Sequence, residues 1–350
     1  MTYEANRQEI SSKLSEKSSK LGGNRHSPLR RLFANALATA LASALLPCAA
    51  VAGDNWPSKP LHLIVGFPAG SSPDLTARAL AEPLEKRLGQ PVIVENKVGA
   101  GGNIAGEQVA RARDGHTFSV MINGNLTIAR LLNPAVRYDP VKDLQPVSLI
   151  GVAPLVLVAP AGAPEGRAFL EAAAQAGSRW SYGSPGVGTV GHLGMELLKS
   201  RSALRPEHIP YPGYPQVFNA IQGGDLQLSM LPPALAMAQV QAGKLRGVAV
   251  TSAARSPLAP GLPSLKELGV GDFDLEIWNA VAAPKAMPAA HVQKLAEAVS
   301  EIVRSPEMRA RLAAQGWQAV GSSPEGLALR IRQDVTALGR IIREQGIHAQ

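Results

Sequence analysis

The stretch LHLIVGFPAGSSPDLTARAL, residues 61–80, decides the fold class. It opens with a short apolar run, typical of a buried strand, which stops at the turn sequence PAG (68–70). A helix is predicted from Pro73, with Ser72 as its N-cap and proline at the first helical position. The stretch is therefore one strand–loop–helix unit, with a Gly- and Ser-rich loop at the carboxyl end of the strand.

The same alternation of strand and helix continues along the chain. The next predicted elements are strand 91–96, helix 103–113 and strand 117–122. Further on, the pattern predicts helix 165–177, strand 180–184, helix 189–202, strand 208–211, helix 214–222, strand 226–231, helix 233–242 and strand 245–251. This alternation predicts an α/β fold with parallel-type sheets, helices on both faces and ligands at the carboxyl ends of strands.

Two extended segments, 148–160 and 274–284, are longer than single strands need to be. We interpret them as crossings between two α/β lobes, and we expect the helical tail, about 288–346, to pack back on the first lobe. The predicted domains are a signal peptide at 1–52, lobe 1 at 53–153 plus 278–350, and lobe 2 at 154–277. Two lobes joined by two crossings form a hinged ligand cleft.

The N-terminal segment has the pattern of an export signal. Arg30 and Arg31 precede an apolar run at 32–46, and AVA at 50–52 has the small-x-small form of a signal-peptidase site. The apolar run is about 15 residues long, which is shorter than the roughly 20 residues of a membrane span. The predicted localisation is therefore the periplasm, with cleavage near Ala52.

Composition narrows the classes of function. The only cysteine, Cys48, lies in the signal, so the mature chain offers no thiol nucleophile, disulfide or thiolate metal site. Removal of residues 1–52 takes away seven Lys/Arg and three Asp/Glu, which lowers the net charge from +8 to +4. Because this charge is mild, no basic run is present and only 4% of residues are aromatic, we expect no nucleic-acid partner.

A secreted hydrolase is the main alternative from another functional class. The chain has no G-x-S-x-G nucleophile elbow and no H-E-x-x-H zinc motif. Its mature histidines do not have metal-site spacing; they are His62, His116, His192, His208, His291 and His348. The sequence therefore predicts no enzymatic activity, no cofactor and no metal.

A second Gly-rich loop, SPGVGTVGHLGMELL at 184–198, contains G-x-G-x-x-G at Gly186, Gly188 and Gly191. A dinucleotide site needs an acidic residue about 20 positions on, at the end of the next strand, but Glu207 precedes that strand. Amides at a helix start bind a carboxylate as well as a phosphate, so the loop is a candidate anion site. The alternative is a tight turn that only connects strand to helix.

An ordered set of motifs resembles a known family. The motifs are WPSKPLHLIVGFPAGSSPDLTARAL, GQPVIVENKVGAGGNIAGEQVARA, DGHTFSVMINGN, YDPVKDLQPVSLI, the 184–197 loop, HIPY and AGKLRGVAVTS. Over about residues 56–346 they are similar to the periplasmic substrate receptors of tripartite tricarboxylate transporters, also called the Bug family. The resemblance implies an exported, non-enzymatic, two-lobed periplasmic binding protein of type II-like architecture. It also implies a small carboxylate ligand and, as partner, a membrane permease or a sensor protein; we expect a monomer.

The resemblance carries over a ligand site made of three loops and the end of one strand. The implied residues are Phe67, Gly70, Ser71, Ser72, Asp74, Asn123, Gly124, Asn125, Ser184, Val187, Gly188, Thr189, His192 and Tyr211. The hydroxyl and amide groups of such loops can donate hydrogen bonds to a carboxylate, and the glycines allow close approach.

Asp74 and His192 each have two possible roles. Asp74 cannot itself hold an anion, so it either stabilises the helix start through the helix dipole or binds a water, hydroxyl or ammonium group. His192 lies in a first helical turn, where imidazolium is disfavoured, so a neutral ring is expected. That ring either orients the loop or contacts the ligand.

Three departures from the family pattern bear on the ligand. Pro73 stands where Thr is often found, Pro212 where Lys is common, and SML at 229–231 where the stretch often ends in Asp. The second lobe has thereby lost charge at its rim, which favours a less polar acid than citrate. Side chains such as Tyr211 and Met230 are candidates for contacts with the body of the ligand.

Overall fold

Two mixed β-sheets organise the chain in the computed structural model, which describes residues 55–347. The strands are Leu61–Val65 (β1), Val92–Asn96 (β2), Thr117–Ile122 (β3), Leu144–Pro154 (β4), Val156–Pro160 (β5), Ser181–Ser184 (β6), Glu207–Pro210 (β7), Leu228–Leu231 (β8), Leu245–Val250 (β9), Glu276–Pro284 (β10) and Gln318–Ala319 (β11). The first sheet has the order β11-β4-β10-β3-β1-β2, and the second has the order β7-β6-β8-β5-β9. The predicted signal peptide, 1–52, lies outside the described residues.

Helices connect the strands and cover the sheets. They are Ser72–Leu88 (α1), Asn103–Arg111 (α2), Asn123–Thr127 (α3), Ala129–Leu132 (α4), Gly166–Ala176 (α5), Val190–Arg201 (α6), Tyr214–Gly223 (α7), Pro233–Gln241 (α8), Ala289–Arg304 (α9), Pro306–Ala314 (α10) and Pro324–Glu344 (α11). Within residues 55–347, none of them has both the length and the apolar character that a membrane crossing needs.

The sheets are mixed, whereas the alternating pattern predicted parallel-type sheets. The parallel pairs are those joined through helices: β1 with β2 and β3, and β6 with β7 and β8. The short strand β11 runs antiparallel to β4. Two further exceptions are β10, which runs antiparallel to β3 and β4, and β5, which runs antiparallel to β8 and β9. Both arrive from the other sheet instead of through a crossover helix on their own sheet, so the right-handed crossover that makes strands parallel does not apply to them.

The predicted extended run 148–160 is two strands that belong to different sheets. β4 ends at Pro154 in the first sheet, and β5 begins at Val156 in the second, so Leu155 alone separates them. The run therefore passes from the first sheet to the second, and its interpretation as a crossing between lobes stays a prediction. β10, within the predicted run 274–284, returns the chain to the first sheet.

Strand β10 separates two halves of the first core. Val281 faces the cluster formed with Leu80 of α1 and Leu295 of α9, whereas Trp278 and Ala280 face the cluster on the other side of the sheet. Because successive strand residues point to opposite faces, a continuous apolar run is what a strand with helices on both faces requires.

The helical tail was expected to pack on the first lobe. Its last helix, α11, instead packs against both sheets. The beginning of α11, with Leu327 and Ile331, packs in a core cluster of the first sheet. Its end, with Leu338, Ile341 and Ile342, packs in the core cluster of the second sheet. A helix of 21 residues is roughly 30 Å long, so one amphipathic face can reach both sheets.

Candidate functional site

The three predicted loops follow the carboxyl ends of β1, β3 and β6. β1 and β3 are parallel neighbours, so the Phe67–Ser72 loop and the Asn123–Asn125 segment emerge side by side from the first sheet. The third loop, Pro185–Thr189, follows β6 in the second sheet and leads into α6. All three loops thus lie at the carboxyl ends of strands, where α/β sheets bind ligands.

Helix α1 begins one residue earlier than predicted. Ser71, not Ser72, is the N-cap, because the Ser71 carbonyl accepts the first helical hydrogen bond, from the Leu75 amide at 2.9 Å. The Ser72 hydroxyl accepts a hydrogen bond from the Trp317 indole at 3.2 Å. The hydroxyl of Ser71 is buried and has no hydrogen-bond partner among the described residues.

The carboxylate of Asp74 is fully engaged by the protein. It accepts hydrogen bonds from the Gly70 amide at 2.8 Å, from Asn96 Nδ2 at 2.8 Å, and from Arg78 Nε at 3.0 and 3.1 Å. Burial alone would raise the pKa of Asp74, but these hydrogen bonds outweigh burial and hold its pKa below the usual range. In this structure Asp74 shapes the loop, and the Gly70 amide is not free for a ligand.

A glycine-rich turn that the sequence analysis did not assign to the site packs against it. Residues 99–102, GAGG, all have positive φ angles. A Cβ atom on Gly102 would lie 2.9 Å from the Phe67 ring and 3.0 Å from Asn125 Oδ1, so only glycine fits there. Asn125 Nδ2 donates to the Gly101 carbonyl at 2.9 Å. The turn thus holds Phe67 and Asn125 in place.

The segment after β3 combines one anchored side chain with open space. Asn123 is buried, and its Nδ2 donates to the Glu276 carbonyl of β10 at 3.3 Å. A Cβ atom on Gly124 or on Gly70 would meet no atom within 4 Å. Both glycines therefore border open space.

The loop after β6 is held from within. Ser184 Oγ donates to the Gly186 carbonyl at 3.0 Å, and Thr189 Oγ1 donates to the same carbonyl at 2.8 Å. The amide of Gly188 donates to His192 Nδ1 at 2.9 Å. The amide of Gly188, a glycine that was expected to allow close approach of the ligand, is therefore already paired within the protein.

His192 is neutral in this arrangement, as expected from its position. Its Nδ1 accepts the Gly188 amide, so that nitrogen carries no proton. Burial first, and the neighbouring His208 second, lower the pKa of His192 to about 4. Burial rather than the helix dipole is thus the main cause, and the ring orients the loop.

Two aromatic residues flank the start of α6. The side chain of Tyr211 packs against an apolar cluster of the second half of the chain, and its amide donates to the Ser184 carbonyl at 2.9 Å. Tyr214, which was not predicted, places its hydroxyl 3.0 Å from where a Gly191 Cβ would lie. Met230, a candidate for contact with the ligand body, is fully buried in the core.

Unpaired backbone amides mark both helix starts. In α6, the amides of Val190 and Gly191 have no acceptor among residues 55–347, and in α1 the same holds for Ser72 and Asp74. First-turn amides point out of the helix with partial positive charge, which favours an anion. The donors available to a carboxylate are thus two to four residues further along the chain than Gly70 and Gly188.

The loop of the second sheet touches the first half of the chain. A Cβ atom on Gly188 would collide with the Leu132 side chain at the end of α4. At a second place, a Cβ on Gly316 would lie 2.8 Å from the Ala234 Cβ at the start of α8. Gly188 and Gly316 have left-handed φ angles, 77° and 83°, which favour glycine, and a side chain at either position would collide with its neighbour.

Comparison with known proteins decides the family. The sequence model described as "Tripartite tricarboxylate transporter family receptor" matches residues 76–347. The chain is 32% identical over 302 residues to BugT of Bordetella pertussis, which covers 85% of this chain and 93% of BugT.

The chain belongs to the tripartite tricarboxylate transporter receptor family. Three solved structures resemble this receptor over its length. Rpa4515 of R. palustris, solved with adipate, has a TM-score of 0.77 and 28% identity, with 84% of this chain and 100% of that chain covered. The periplasmic binding protein BugD has a TM-score of 0.73 and 30% identity, with the same coverage. MatC of Rhodopseudomonas palustris, solved with malate, has a TM-score of 0.72 and 27% identity, with 82% and 100% covered.

The predicted fold class and family are therefore confirmed: this receptor has two α/β sheets with helices, and its structural neighbours are two-lobed periplasmic solute-binding proteins. Its family and its neighbours are solute-binding receptors and not enzymes, which confirms the prediction against a hydrolase.

Proposed function

We propose that this chain is an exported periplasmic receptor that captures a small organic carboxylate and delivers it to a membrane permease of the tripartite type. The signal peptide is 1–52, lobe 1 comprises 53–153 and 278–350, and lobe 2 comprises 154–277. The ligand lies between the lobes, and the receptor is a monomer. Dicarboxylates are the first candidates, because the related Rpa4515 and MatC were solved with adipate and malate.

The observation that carries this proposal is the pair of helix starts with unpaired amides, one in each proposed lobe. Ser72 and Asp74 supply the donors of α1, and Val190 and Gly191 supply those of α6. Because each set suits one ionised carboxylate, a dicarboxylate can bind both helix starts and hold the lobes together.

The polarity of the proposed site favours a weakly polar ligand body. Among the predicted residues only Asp74 is formally charged, and Arg78 already neutralises it. The rim of lobe 2 carries Pro212 and buried Ser229, whose hydroxyl donates to the Gly183 carbonyl at 2.8 Å. Recognition therefore depends on amides and hydroxyl groups for the carboxylates and on apolar surface between them.

A thermal-shift screen of residues 53–350 tests the binding proposal. We expect adipate or malate to raise the melting temperature more than citrate, because the proposed site favours a less polar acid. A ligand at 100 times its Kd adds about 2.7 kcal/mol to the free energy of unfolding. Adipamide has the same chain length without charge and is the control, for which we expect no shift. Failure of every small mono-, di- and tricarboxylate to stabilise the protein would refute the proposal.

Delivery to a permease is distinguished from sensing by uptake in whole cells. Deletion of the receptor should abolish uptake of the identified acid, and the full-length chain should restore it. Normal uptake together with a lost transcriptional response would favour the sensor alternative. Intact-mass analysis of the periplasmic protein should show a chain that begins near Gly53; retention of Met1 would contradict export with cleavage.

A further inference from the structure

Three aromatic rings form a stack beneath the loop of the second sheet. The ring centroids of Tyr182 and His208 lie 4.8 Å apart, and those of His208 and His192 lie 4.1 Å apart with nearly parallel planes. Tyr182 comes from β6, His208 from β7 and His192 from α6. His208, in the middle, is a residue that the sequence analysis did not connect with the site.

The hydrogen bonds of Ser184 fix the role of His208. His208 Nε2 lies 2.7 Å from Ser184 Oγ, and Ser184 Oγ lies 3.0 Å from the Gly186 carbonyl. A serine hydroxyl has one proton, and the Gly186 carbonyl can only accept. When Ser184 donates that proton to the carbonyl, His208 Nε2 carries a proton and donates it to Ser184 Oγ.

The two histidines hold the two ends of the same loop. Through Ser184, His208 fixes the Gly186 carbonyl, and through its own Nδ1, His192 fixes the Gly188 amide. Both glycines have positive φ angles, 119° and 77°, so their own backbones offer many other conformations. The side chains supply the restraint that the glycines lack.

We propose that His208 is a positioning residue of the ligand site, which holds the 184–189 loop so that the first amides of α6 face the ligand. This inference rests on the proposed carboxylate-binding function. His208 itself contacts no ligand; it acts through Ser184. Without its hydrogen bond, Ser184 keeps only one partner, and the loop samples conformations in which the α6 amides do not converge on the carboxylate.

Charged and titratable side chains surround the three stacked rings. Tyr182 donates from its hydroxyl to Glu196 Oε1 at 2.6 Å, and Lys199 Nζ donates to the same oxygen at 2.8 Å. His192 also stacks on His208, and the ring centroids of His192 and Tyr182 lie 6.3 Å apart. Glu196 favours imidazolium, whereas burial and Lys199 oppose it, and the balance lowers the pKa of His208. At neutral pH the ring is thus the neutral donor that Ser184 requires.

Two substitutions separate the hydrogen bond from the ring. His208→Gln keeps an N–H donor at similar reach but loses the ring, whereas His208→Phe keeps the stacked ring but loses the donor. With adipate and malate as probes at pH 7.5, we expect H208Q to bind within about threefold of wild type and H208F to bind at least about tenfold more weakly. In a Ser184→Ala background, H208F should have no further effect.

A ligand-independent measurement keeps this inference separate from the proposed function. Hydrogen exchange of amides 186–191 in the free protein should accelerate in H208F and not in H208Q, while amides of the first sheet stay unchanged. Unchanged exchange in folded H208F would overturn the inference even if no probe binds. Faster exchange with unaltered adipate and malate affinity would also overturn it.

The pH profile is the second discriminating measurement. The ratio of wild-type to H208Q affinity cancels the ionisation of the ligand itself. We expect this ratio to be constant while His208 is neutral and to fall at more acidic pH, below the usual range of histidine, as His208 gains a proton, because imidazolium adjacent to His192 strains the stack. A wild-type affinity that rises relative to H208Q as the pH falls would contradict a role for the neutral ring.

Discussion

The Gly188 amide donates to His192 Nδ1 at 2.9 Å, so the glycine that had been expected to bind the ligand is instead bound by the protein. The same glycine lies against Leu132 of α4. Gly188 therefore serves the shape of the loop and its contact with the other half of the chain, and we propose that the amides that bind the ligand lie further along α6.

Gly188→Ala should weaken ligand binding through the contact with Leu132. A Cβ there collides with the leucine side chain, and the left-handed φ of 77° adds about 1–2 kcal/mol of strain. Gly89→Ala is the matched control: its φ is also 77°, but a Cβ meets nothing within 4 Å. We expect similar strain in both, but loss of dicarboxylate affinity only in G188A.

The double variant Gly188→Ala, Leu132→Ala makes this prediction specific. If the collision displaces the loop, trimming Leu132 should restore most of the affinity that G188A loses, as measured by calorimetric titration. Equal affinity of G188A and the double variant would mean that the loss comes from strain alone.

Asp74→Asn should destabilise the first loop. The change removes the charge from hydrogen bonds with Arg78, Asn96 and Gly70, and we expect a loss on the order of 2 kcal/mol in the free energy of unfolding. Glu82→Gln, which breaks the exposed pair with Lys86 on the same helix, is the control and should change little. Urea unfolding of both variants measures the difference; equal stabilities would contradict a structural role for Asp74.

The free energy of unfolding should decrease as the pH is lowered from 6.5 towards 4, because of His192. Its pKa is lowered from 6.5 to about 4 in the folded protein, so the unfolded state binds more protons between these values. The stabilisation of the neutral ring is complete above pH 6.5 and is lost as the pH falls towards 4. His192→Asn keeps an acceptor for the Gly188 amide without titrating, and its unfolding free energy should be less dependent on pH there. Identical pH dependence would contradict a neutral buried ring.

Tyr214→Phe should leave the stability of the free protein unchanged, because the Tyr214 hydroxyl has no hydrogen-bond partner among the described residues. Tyr138→Phe is the contrast. The Tyr138 hydroxyl lies 2.8 Å from the Asn125 carbonyl and 3.0 Å from Asn103 Oδ1, and its removal should cost about 1 kcal/mol. A clear loss of stability in Y214F would reveal a partner that this structure does not contain.

Sequence patterns predicted the fold well because local signals encode it. Strand 117–122 was predicted with the bounds that the structure has, since a short apolar run between turn residues leaves few alternatives. The break at Leu155 was not visible, because β4 and β5 are both buried and read as one apolar run. The N-cap was misplaced by one residue, because Ser71 and Ser72 are chemically equal candidates.

The site was predicted less completely, because its chemistry depends on contacts between distant residues. The role of Asp74 is set by Asn96, 22 positions away, and that of Ser184 by His208, 24 positions away. Neither pairing has a local signal. Tyr214 was missed for the same reason, since only the packing of α7 on the start of α6 brings its hydroxyl to Gly191.

The central claim is that one dicarboxylate binds both helix starts, and titration of ¹⁵N-labelled residues 53–350 with adipate or malate tests it most directly. The account predicts that the amide resonances of Ser72 and Asp74 and those of Val190 and Gly191 move downfield together, with one common Kd, as each set gains an anionic acceptor. Adipamide should leave both sets unchanged. Movement of the Val190 and Gly191 resonances alone, with Ser72 and Asp74 unaffected at saturation, would contradict binding by both lobes.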